Sequence, residues 1–250
     1  MRLREKRPRV LRLAAALAGI LLVLIVPVTA GPAVATATSG SSDDATALVR
    51  LRVEGRTSTI FEGHVLTRGH DVTTESAGTH HCDGTNNNAN PTPGPTATSA
   101  LDDAARLAPF TWDGTYWAEF DDILVTRIGD TAQTDTEFWG ILRNYAFTPV
   151  GGCQQRVQNG DEILFAFDAF AADHFLKLKG PHAAKVGKPA TVTVTDGATG
   201  EPIAGATVGG QSTGADGKAR VVFKKAGAES LKAEHPDAVR SNALRVAVLP

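Results

Sequence analysis

Outside the first dozen residues lysine and arginine never gather into a stripe, a second long apolar run is missing, and cysteine occurs only twice, at Cys82 and Cys153. Each absence excludes a class of function. A groove that tracks phosphates needs clustered bases, so nucleic acid is not an expected partner. With no nucleophile elbow, P-loop or H-E-x-x-H pair recognised, the familiar serine-hydrolase, nucleotide-binding and zinc-protease chemistries fall away. The two cysteines are far from the close spacing of a structural zinc site. Neither follows the N-terminal apolar run, where a lipid-anchored protein would carry one.

What is present begins with that run. Arg2, Arg4, Lys6, Arg7, Arg9 and Arg12 stand against one acid, Glu5, and an apolar stretch from Leu13 to Val26 follows directly. This is the n-region and h-region of a secretory signal. The stretch is shorter than the roughly 20 residues that cross a bilayer, so cleavage is expected and a retained signal anchor is the alternative. Small residues at Ala33-Val34-Ala35 and Ala35-Thr36-Ala37 offer the cut. The leader is therefore bounded at residues 1–35, and the polar stretch 36–44 reads as a flexible lead-in. The product is expected to be secreted, or held at the cell wall without covalent attachment, with no membrane span after cleavage. Removing six bases and one acid takes the formal charge from −2 to −7.

Export places Cys82 and Cys153 in an oxidising compartment, where two cysteines permit one bridge. A pair of free thiols, or one metal ligand each, is the alternative. Closing so long a loop stabilises by about 4 kcal/mol in the chain-entropy treatment.

Composition divides the mature chain. Of the fifteen aromatic residues, thirteen lie between Phe110 and Phe175. Charge divides with them, at −10 over residues 36–180 and +3 over 181–250. Two domains are expected, 45–180 and 181–250. In the first, Leu48 to Gly55 alternates as a half-buried strand, and Thr59 to Val65 follows as its hairpin partner. Residues 74–98, rich in Asn, Pro and Gly, read as a long loop pinned by Cys82. Ser99 with Asp102 resembles a capping box, followed by apolar residues at helical spacing up to Pro109. Asp113-Gly114 reads as a tight turn between aromatic strands, and Glu162 to Phe167 as the last strand. Strands around one helix predict an α+β fold. After Gly180-Pro181, a strand at Ala190 to Thr195 and turns at short intervals predict an all-β sandwich.

Several residues carry a resemblance. Phe138-Trp139-Gly140, Asn144-Tyr145, Gly151-Gly152-Cys153 and the run Val157 to Phe165, with Asn159-Gly160-Asp161-Glu162 at its centre, resemble the DUF4430 family. That family is related to the C-terminal part of transcobalamin and intrinsic factor. The resemblance covers roughly Leu48 to Leu176 and implies a small β-grasp-like fold and extracellular placement. Corrinoid binding is not carried over, because the large helical domain that supplies most of the vitamin pocket has no counterpart here. The second domain is similar to bacterial Ig-like and carboxypeptidase-regulatory-like modules, which implies a spacer or adhesion unit.

Three sets of candidate residues remain. Trp112, Tyr116, Trp117, Trp139 and Tyr145 share one window and suit a ligand cleft, since such rings offer broad, stiff apolar faces with a polar edge; the bland reading is a core short of aliphatic residues. His64, His70, His80 and His81, beside Asp83, suit a metal site, or equally turn caps in solvent. Asp102 with Asp103, Asp121 with Asp122, and Asp161 with Glu162 invite a hydrolase, but neighbours on a strand point to opposite faces, and acids in a helix's first turn serve its dipole. The expectation is a non-catalytic extracellular binding or adhesion protein with no cofactor and an unidentified ligand or surface partner. A metal- or cofactor-binding protein and a secreted hydrolase are the alternatives.

Overall fold

The computed structural model describes residues 45–250; the expected leader and lead-in lie outside them. In chain order the first half contains β1 (Thr46–Glu54), β2 (Thr59–Arg68), β3 (His70–Thr74), β4 (Gly78–Cys82), α1 (Ala97–Leu107), β5 (Trp112–Trp117), β6 (Asp122–Ile128), β7 (Thr131–Ala132), β8 (Trp139–Arg143), β9 (Ala146–Phe147) and β10 (Glu162–Phe167). Alternation in β1 buries Val49, Leu51 and Val53 completely. Its five-stranded sheet runs β2-β1-β10-β8-β9, with β1 parallel to β10 and the other pairs antiparallel. Ala97, Ala100, Leu101 and Ala104 turn one face of α1 onto β1 and β2. The sheet β5-β6-β7 and the hairpin β3-β4 complete the layer around this core.

Strands hold 49% and helical turns 7% of the described residues. The α+β expectation, and the β-grasp-like label with it, is therefore corrected to a nearly all-β fold of several small sheets. One eleven-residue helix is too little for a helical layer, and stretches that the sequence left as loop or turn pair as strands. Residues 78–82, expected within a loop, form β4 against His70–Thr74. Asp113-Gly114 is not a turn. A bulge falls there inside β5, Asp113 accepts from the backbone and hydroxyl of Ser76 (3.0 and 2.7 Å), and a Cβ on Gly114 would meet Ile123 at 2.4 Å. The chain turns instead at Ala118–Asp121. The helix begins before the expected cap, with Thr96 as N-cap and Ser99 returning the bond.

The second half contains β11 (His174–Lys179), β12 (Ala183–Lys185), β13 (Pro189–Asp196), β14 (Thr207–Val208), β15 (Gln211–Ser212), β16 (Lys218–Val222), β17 (Gly227–Leu231), β18 (Ala233–Glu234), β19 (Ala238–Val239) and β20 (Leu244–Leu249). It is all β, but its strands form three small sheets, β16-β13-β11-β19, β12-β20-β17 and β15-β14-β18, where an Ig-like sandwich was expected. Its core begins with Leu176 and Leu178, ahead of residue 180.

A third core joins the halves: Leu142, Tyr145, Leu164, Ala166 and Ala169 pack with Phe175 and Val239. Beside it Glu54, 2% exposed, meets Lys232 Nζ and Arg240 Nε (2.9 Å) from the second half and the Thr59 hydroxyl from the first. Arg240 also donates to the Gly55 carbonyl (2.6 Å). A buried carboxylate needs such partners, and here they come from both halves.

Candidate functional site

Cys82 and Cys153 form a disulfide that spans 71 residues. On one side of it lies an open cleft of about 540 Å³, the size of a small-molecule site. Its outer edge is the β5–β6 turn, which carries Trp117 and Phe120, half exposed, with ring centroids 6.3 Å apart and tilted by 36°. Trp139, on β8, is nearly buried and meets Phe167 edge-on at 5.4 Å. Ile123, Ile141 and Val150 supply aliphatic wall. Trp139 and Ile141 share this side because they stand two apart on a strand, while Gly140 between them lies against Ala169.

One ionisable side chain lines the cleft. Asp122 is 6% exposed. Its Oδ1 accepts from the backbone N–H of Ile123 (2.7 Å) and of Cys153 (3.1 Å), while its Oδ2 and the Nε1–H of Trp139 are buried without a partner. Burial pushes the Asp122 carboxyl up to about 6, against the backbone bonds that favour its charged form. Gly151 is pressed to this carboxylate: a Cβ there would stand 1.9 Å from Oδ2.

The expected aromatic set is only partly assembled here. Trp117 and Trp139 line the cleft. Trp112 is in the core and donates to Asp102 Oδ1 (3.1 Å). Tyr116 stacks on His80 at 3.5 Å and donates to Asp121 Oδ1 (3.0 Å). Tyr145 belongs to the joining core, with Lys177 Nζ 4.7 Å from its ring centroid. Sequence reasoning missed Phe120, Gly151 and the role of Asp122. The first had a signal in its place three residues after Trp117 in the aromatic window; the others depend on the fold bringing residues 120–125 and 148–154 together.

The four histidines do not converge. His64 stands on β2 beside Arg50 and Glu62. His70 faces Asp102 Oδ2 (3.0 Å) and the Arg68 carbonyl (2.9 Å); although burial opposes it, these bonds raise its pKa. His80 bonds the Ala77 carbonyl (2.9 Å), and His81 meets Asp121 Oδ2 at 2.8 Å. Among the described residues no group of three or more His, Cys, Asp or Glu could hold a metal ion.

Apart from Asp122, the paired carboxylates are engaged away from the cleft. Asp102 is held by His70, Trp112 and Arg106, and Asp121 by His81, Tyr116 and the Asn87 N–H. Asp161 accepts from Arg143 (2.7 Å) and Asn144 (2.8 Å), and Glu162 faces Arg50 and Lys177. Burial works against their charge, but these bonds hold Asp102, Asp121 and Asp161 below the ordinary carboxylate value. A G-x-S-x-G string does occur, from Gly210 to Gly214. Its Ser212 is an exposed residue of the β14–β15 hairpin, not of a strand-to-helix elbow. No family model matches the chain, and no curated protein matches it either.

Proposed function

We propose that this chain is exported and acts outside the cell as a non-catalytic binding or adhesion protein, with its ligand held in the cleft of Trp117, Phe120 and Trp139. The observation that carries the reading is the cleft itself: an apolar, aromatic-edged hollow of small-molecule size with a single ionisable side chain, Asp122, in its lining. Export is supported by the basic and apolar order of residues 2–26 and by the disulfide, which belongs to oxidising compartments. Among the described residues no helix is long and apolar enough to cross a membrane.

Kinship with DUF4430 and with the bacterial surface modules is part of the same proposal. The residues behind the first resemblance do structural work. Asn144 and Tyr145 adopt left-handed backbone in the β8–β9 turn. The Asn159-Gly160-Asp161 turn bonds Leu48 and Arg50 at the start of β1. The second half supports the first through the Glu54 cluster and serves to present it.

Native mass spectrometry of the protein secreted by its own host, before and after gentle denaturation, tests the reading. A stoichiometric extra mass that leaves on unfolding is the expected result. A bare polypeptide mass, together with no response of the tryptophan fluorescence to the host's medium, would sink it.

A further inference from the structure

We propose that the cleft takes an organic cation: an apolar body lying against Trp117 and Phe120, with an ammonium or guanidinium group directed to the carboxylate of Asp122. The inference rests on the cleft being the ligand site and adds the class of ligand.

Four observations carry it. Asp122 is the one ionisable residue of the lining, and no Lys, Arg or His stands there to neutralise it. Three backbone N–H groups, those of Ile123, Cys153 and Gln154, face its carboxylate, but no side chain supplies a counter-charge. A buried carboxylate without a counter-charge is costly, and an entering cation relieves that cost. Trp117 and Phe120 present open ring faces at the mouth, and cations are drawn to such faces. The net charge of −10 over residues 36–180 favours the same sign of ligand at longer range. The raised pKa of Asp122 agrees with a carboxylate that lacks a counter-charge in the unliganded protein.

The competing anchor is the unpaired Nε1–H of Trp139, which would select a neutral ligand with an acceptor oxygen. Two probes of nearly equal shape separate them: 2-phenylethylamine and 2-phenylethanol, titrated into the intact protein at neutral pH with calorimetry and tryptophan fluorescence. The amine is expected to bind at least about tenfold more tightly, a difference of 1.4 kcal/mol. Asp122→Asn should abolish that preference and spare the alcohol, and Trp117→Ala, at an exposed position, should weaken both. Equal affinities in the unmodified protein, or an amine preference that survives Asp122→Asn, would overturn the cation while leaving the cleft as a ligand site. Failure of both probes to bind would overturn the cation and the cleft together. The comparison of the two probes needs no variant, so a poorly folded Asp122→Asn does not block it.

Discussion

Replacing Asp122 by Asn removes one buried charge and almost nothing else. The amide oxygen still accepts from Ile123 and Cys153, and the amide nitrogen takes the place of the unpaired Oδ2. In the folded protein burial lifts this carboxyl from 3.8 to about 6. The folded state therefore holds the proton more firmly than the unfolded chain between those values, and its stability falls as pH rises through that window. Above pH 6 the penalty is complete. Two pKa units at 1.36 kcal/mol each amount to about 3 kcal/mol. Urea denaturation of the parent and Asp122→Asn, in steps from pH 4 to pH 8, isolates the effect, because every other titrating group is common to both. The variant should match the parent near pH 4 and exceed it by about 3 kcal/mol at neutral pH and above. A difference that stays constant with pH, or a variant less stable at neutral pH, would refute the account of Asp122 as a buried charge without a partner.

Other consequences follow from the same contacts. Glu54→Gln leaves Arg240 without its buried counter-charge and Lys232 with Glu62 alone (3.0 Å), and should cost about 3 kcal/mol, measured by chemical denaturation. Opening the Cys82–Cys153 bridge by double substitution to Ala should cost about 4 kcal/mol. It should also loosen the cleft, because Cys153 N–H holds Asp122; protection of that amide from hydrogen exchange reads the loosening. Gly197→Ala places a Cβ 2.0 Å from the Tyr145 ring, so a loss of about 1 to 3 kcal/mol is expected from overpacking. It would show as a lower midpoint in urea.

Much of this was legible in the sequence where the signal is local. The alternation of β1, the apolar run of β10, the single helix and the bridge between two lone cysteines all read directly. The class did not, because stretches left as loop or turn, Gly78–Cys82 and Asp113-Gly114 among them, proved to be paired strand. Gly78 to Cys82 has polar residues on both faces, so no apolar alternation announces β4; its partner β3 and the disulfide decide it. Asp113-Gly114 has the chemistry of a turn, yet the Ser76 bonds and the closeness of Ile123 hold it in a strand. Ser99 does belong to a capping box, but as its third helical residue, with Thr96 as the cap. Within the site, the window of aromatics pointed to Trp117 and Trp139. Only folding separated them from Trp112 and Tyr145, which neighbouring residues draw into two cores. Asp122 looked like half of a carboxylate pair, and its meaning changed once Gly151 and Cys153 closed over it.

The most direct test of the central claim uses the three tryptophan side chains as internal reporters. Their indole N–H signals, followed by NMR in protein labelled with ¹⁵N-tryptophan while ring-bearing fragments, charged and neutral, are added, distinguish the cleft from the core. The account predicts that binders move Trp117 and Trp139 and leave Trp112, bonded to Asp102 away from the cleft, in place. Binders that shift Trp112 and spare the other two would contradict it.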